Sequence, residues 1–136
     1  MKLLPTIHEA APQIQAGKLD PNDLLDICLD NIASYDGEVK AWVEVYESDA
    51  RKQAKQAAIE IAGGNYRGPL HGIPLGIKDI IDVVGWKTEA GSPLRTNHLA
   101  SEDALWISKL KDAGAVLVGK TVTTQFACFD PPVTRN

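Results

Sequence analysis

Cysteine is scarce in this chain: two residues in 136, Cys28 and Cys128, neither of them in a CxxC pair. That excludes a disulfide framework and a thiol-rich zinc site. Histidine is equally thin. His8, His71 and His98 are scattered without ligand spacing, so no metal is expected. The formal net charge is −4, from 18 acidic and 14 basic side chains, and no block of Lys/Arg is present. Without such a footprint, neither nucleic acid nor an anionic membrane is an expected partner. No apolar run is long enough to span a bilayer, and MKLLPTIHEAAPQ has no sustained apolar segment of the kind that opens a secretory signal. Internal repeats and low-complexity tracts are also missing. What remains is an ordinary balance, 44% hydrophobic and 24% charged, over a length suited to one domain. A soluble protein of a reducing cytoplasm is the expectation.

The first third predicts helices. TIHE (6–9) has capping-box spacing, with Thr6 accepting from the Glu9 amide and Glu9 reaching back. Asp20 followed by Pro21 marks a second start, after which Leu24, Leu25, Cys28, Leu29 and Ile32 form one apolar stripe. A third helix is predicted from Ser48 through Ile61, closed by Gly63-Gly64. Between them AWVEVY (41–46) reads as a short strand or extended connection. The second half changes period. IPLGIKDII (73–81), bracketed by Gly68-Pro69 and Gly85, predicts a buried strand. SEDALWISKLKDAG predicts a helix capped near Ser101 or Glu102 and stopped by Gly114, and AVLV (115–118) predicts another strand. Strand, helix, strand is a βαβ unit, expected to be parallel. The fold class is therefore α/β.

GAVLVGKT (114–121) fits G-x-x-x-x-G-K-[ST] letter for letter. A phosphate loop needs flexible residues between the glycines so that backbone amides curl around the anion. Here those residues are Ala, Val, Leu and Val, which form the strand itself, and the β-branched TVTT follows. The motif is rejected, and Lys120 is expected to be a strand-end cation in solvent.

Lys78 is the residue that raises a chemical question, standing in an apolar run. One reading packs its stem and lets the ammonium escape at the sheet edge. The other buries it. On a strand Asp79 points to the opposite face, and Asp82 lies about 13 Å along, so the local sequence offers no counter-ion. A lysine buried without one gives up its proton. Holding any lysine neutral at pH 7 costs roughly 4.6 kcal/mol, an expense that general-base chemistry justifies. A Schiff-base lysine would use the same property.

Two blocks carry a family resemblance. GPLHGIPLGIKDIIDVVG (68–85) resembles the lysine-containing block of the amidase signature family, and SEDALWISKLKDAGAVLVGKTVTTQFA (101–127) resembles the block that follows it there. The ending FDPPVTRN is similar to the segment leading into that family's Gly/Ser-rich signature, so the resemblance covers roughly residues 6 to 136. It implies N-terminal helices followed by part of a mixed β-sheet covered by helices, and a Ser–cis-Ser–Lys hydrolase of amides. A nucleophilic serine attacks the amide carbonyl, a second serine relays the proton to a neutral lysine, and water or an ammonia-type acceptor takes the acyl group. Lys78 matches the catalytic lysine. Both serines are expected just after Asn136. Residues 1–136 are then the N-terminal part of a single domain, truncated before the nucleophile segment and inactive as they stand. The implied partner is a small-molecule amide, with no cofactor. A non-catalytic fragment that binds a partner or self-associates is the alternative. Among the serines present, Ser92 in AGSP is the one to test, although a hydroxyl fixing the turn before Pro93 explains it more simply. His71 is given no chemical role. Val122 and Gln125 stand where the family often has asparagine and glutamate, and Pro131-Pro132-Val133 where it usually has a glycine.

Overall fold

The computed structural model describes residues 3–128 and 131–135; Phe129, Asp130 and Asn136 of the FDPPVTRN ending lie outside it. The described residues form four α-helices and three strands: α1 (Ile7–Gln15), α2 (Pro21–Val39), β1 (Trp42–Val45), α3 (Glu47–Ala62), β2 (Pro74–Lys78), α4 (Leu105–Asp112) and β3 (Val116–Thr121). The starts of α1 and α2 follow their sequence signals. The capping box forms, with the Thr6 amide donating to Glu9 Oε2 at 2.8 Å and the Glu9 amide donating to Thr6 Oγ1 at 3.3 Å. At α2 the Asp20 carboxylate accepts from the Asn22 amide at 2.7 Å. Helix α4 begins later than expected. Its N-cap position is Ala104, with no side-chain cap. Asp103 instead accepts from the Val84 amide at 2.8 Å and pairs with Lys111 at 2.6 Å, which ties the start of the helix to the loop after β2.

The sheet order is β1-β3-β2, with β3 in the centre. Strands β2 and β3, joined through α4, run parallel, while β1 runs antiparallel to β3, so the sheet is mixed and the class is α/β as expected. Val116 and Val118 turn toward Leu25 of α2 and Ala50 and Ala54 of α3; small side chains on α3 let that helix lie close to the strand. Leu117 turns to the other face, where it meets Ile77, Val83, Trp86 and Ile107. A third cluster seats α1 through Ala10 and Ile14 against Leu24 and Ile73.

Two departures from the expected strands matter for the site. The strand expected over 73–81 ends at Lys78, and residues 79–81 turn away, the Ile81 amide closing onto the Lys78 carbonyl at 3.0 Å. The strand expected over 115–118 runs on through Gly119, Lys120 and Thr121. Along the β2–β3 ladder Leu75 faces Leu117, but Gly76 faces Gly119, so Val118 is an extra residue in β3. One inserted residue reverses which face later side chains take. Lys120 consequently stands opposite Ile77, on the Leu117 side of the sheet.

Candidate active site at the carboxyl ends of β2 and β3

Two parallel strands end side by side here, the place where α/β sheets carry their ligand sites. At the end of β2, alternation separates two neighbours: Lys78 is exposed, and Asp79 is buried at 2% exposure. The expected burial of Lys78 does not hold in this chain. It shares a face with Gly76, over which the Trp42 ring packs so closely that a Cβ there would meet it at 2.9 Å. Lys78 lies one pleat beyond that cover. Its ammonium has neither hydrogen bond nor ion pair among the described residues.

The buried lysine is Lys120, which was expected in solvent. It is 1% exposed. Its Nζ donates to the Ile81 carbonyl at 2.7 Å and to Thr88 Oγ1 at 2.9 Å, and lies 3.3 Å from Asp79 Oδ1. Burial pushes its pKa down, and the Asp79 carboxylate pulls the other way. A strand occupying Val116–Thr121 and a lysine sealed beneath a loop leave no phosphate cradle at GAVLVGKT.

The loop from Asp79 to Ser92 returns to this floor. The Ala90 amide donates to the Asp79 carbonyl at 2.8 Å, and the Glu89 amide to Asp79 Oδ1 at 3.3 Å. Gly91 has φ +60, and a Cβ there would meet the Thr123 carbonyl at 2.9 Å, so the two loops touch through bare backbone. Ser92 is buried. Its Oγ accepts from the Leu94 amide at 3.4 Å and from Gln125 Nε2 at 3.0 Å. The first contact fixes the turn Pro93–Arg95 as expected; the second was not legible in the sequence. Asp79, Ser92, Thr123 and Gln125, with Trp42 and Glu89, line a cavity of about 670 Å³. Thr123 Oγ1 is buried there without a hydrogen-bond partner among the described residues. Lys78 is not among the lining side chains, and neither is Lys120.

His71 sits elsewhere, at a second cavity of about 500 Å³ beside α3 and the end of α4. Its Nδ1 accepts from the Arg67 amide at 3.1 Å, and burial pushes its pKa down.

The amidase family model matches residues 23–130. The chain belongs to the amidase family. An amidase from Pseudomonas putida is 37% identical over 122 residues, which are 90% of this chain and 26% of that protein. A glutamyl-tRNA(Gln) amidotransferase subunit of Roseiflexus sp. is also 37% identical, over 90% of this chain and 25% of its own. Among solved structures, the native peptide amidase of Stenotrophomonas maltophilia superposes with a TM-score of 0.81 at 36% identity, covering 88% of this chain and 25% of that one. The chain therefore spans about a quarter of the length of the relatives it matches. No helix among its described residues is long and apolar enough to cross a membrane.

Proposed function

We propose that this chain is the lysine-bearing part of an amide (C–N bond) hydrolase in which Lys78 is the general base. The observation that supports it best is the amidase-family match, combined with an unpaired Lys78 at the carboxyl end of β2. Both catalytic serines lie in chain outside these 136 residues, and the same missing part covers Lys78. Once away from water and without a carboxylate, its amine takes a proton from the serine pair as the nucleophilic oxygen bonds to the amide carbonyl carbon. The proton passes to the departing nitrogen as the C–N bond breaks, and water then cleaves the acyl ester. The substrate is a small-molecule amide, and this chemistry uses no cofactor. Relatives named as parts of an amidotransferase make transfer to ammonia an alternative fate of the same ester.

Three measurements test this. A fluorophosphonate probe is expected to leave the 136-residue chain unlabelled; labelling at Ser92 or any other serine would refute the placement of the nucleophile. A chimera in which this chain replaces the matching quarter of the Pseudomonas putida amidase is expected to hydrolyse amides, and Lys78→Met to reduce kcat by about 10³-fold or more. Full turnover by that variant would remove Lys78 from the mechanism. Borohydride trapping with a carbonyl substrate distinguishes a base from a Schiff-base lysine.

A second reading is favoured by the sheet itself. Strands β1 and β2 are its outer strands, and an unpaired edge is a template for another chain. As a non-catalytic piece, the chain self-associates. Sizing chromatography is expected to show dimers or larger species, and a compact monomer at every concentration would end this reading.

A further inference from the structure

Among the described residues, Lys120 is the largest side chain that is fully buried, and the amide chemistry above does not use it. Its ammonium has three protons and three acceptors around it: the Ile81 carbonyl, Thr88 Oγ1 and the Asp79 carboxylate. Those acceptors span residues 79–88, the stretch that leaves β2 and folds back. Asp79 is held from both sides of its backbone as well, its amide donating to the Thr121 carbonyl and its carbonyl accepting from Ala90, each at 2.8 Å. The ammonium is thus a pin set in the central strand, with the chain immediately after Lys78 wrapped around it. An apolar side chain of similar size would fill the space, but it would leave the buried Asp79 charge without its cation, held only by the Glu89 amide, and the Ile81 carbonyl with only the Thr88 hydroxyl at 3.4 Å. The loop would have to open, and the end of β2 would lose its fixed position.

We infer that Lys120 is a positioning residue for amide cleavage: with Asp79 and Thr88 it fixes the carboxyl end of β2, and with it the point from which Lys78 reaches the reacting atoms. This rests on the reading of Lys78 as the base. Lys120 itself lines neither of the two cavities described.

The test uses the whole chain in the amidase chimera, with Lys120→Met and the milder Thr88→Val, which keeps the shape and removes one acceptor. Folding is checked by circular dichroism and a cooperative thermal transition. In folded enzyme, Lys120→Met is expected to lower kcat by about 10- to 100-fold with KM within about twofold, because a displacement of the order of 1 Å costs that much. Thr88→Val falls in the same direction by a smaller factor. Methylammonium added to Lys120→Ala is expected to restore part of kcat by occupying the vacated acceptors. Unchanged kcat in a folded Lys120→Met, or in Thr88→Val should Lys120→Met not fold, overturns the inference while leaving Lys78 as base. A loss expressed in KM alone, or one that follows the unfolded fraction, overturns it too. Retained turnover in Lys78→Met is the separate result that removes the underlying reading and the positioning role with it.

Discussion

Lys78 and Asp79 are adjacent, yet one is in solvent and the other sealed beneath a loop. Alternation along the strand explains the split, and the sequence showed it. Which member of the pair would be buried depended on what covered each face, and no local pattern reports that. Tyr46 shows a similar dependence. Its ring stacks on Trp86 with centroids 4.0 Å apart, and its hydroxyl donates to Glu44 Oε2 at 3.0 Å. Burial, helped by the Glu44 and Asp79 carboxylates, pushes its pKa up from 10.0 to about 12. The folded chain therefore holds the proton more tightly than the unfolded chain does. The corresponding stability is fully present below about pH 10 and is lost as pH rises through about 12. Urea midpoints measured across that window are expected to fall for the natural chain, and Tyr46→Phe should flatten the part of the slope that this hydroxyl supplies.

At the scale of elements, helices α1 and α2 announced themselves through their caps and α3 through its closing glycines, because those signals are local and their causes are too. The two strands that build the site were less legible. β3 was expected to stop at Val118, since Gly119 and Lys120 look like the exit of a strand. The chain continues because Gly119 lets β1 come close: a Cβ there would run into the Glu44 carbonyl and lie 2.9 Å from the Val45 Cα. Gly119→Ala is expected to displace β1 and destabilise the fold by about 1–3 kcal/mol, the usual cost of overpacking. A lower urea midpoint at unchanged slope would show it. No change in midpoint would mean that β1 yields without cost.

Over the whole molecule, a three-stranded sheet has helices packed on both faces but leaves large apolar side chains in water. Leu94 is 84% exposed and Leu105 77%, with Trp106 beside it at 44%. Scattered exposed apolar residues are ordinary. Here they accompany a chain that spans about a quarter of its relatives' length. The chimera and the sizing measurement separate the catalytic proposal from the self-association reading.

The sequence by itself determined the class of fold, the starts of α1 and α2, the parallel pair of strands and the lysine block, because capping, period and motif each act within a few residues. Only the tertiary structure decided which lysine is buried. That depended on one extra residue in β3, which carries Lys120 to the Leu117 side of the sheet, and on a loop returning over ten residues to close around it. A face reversal of that kind arises from pairing between distant segments, so no reading of either segment alone contains it.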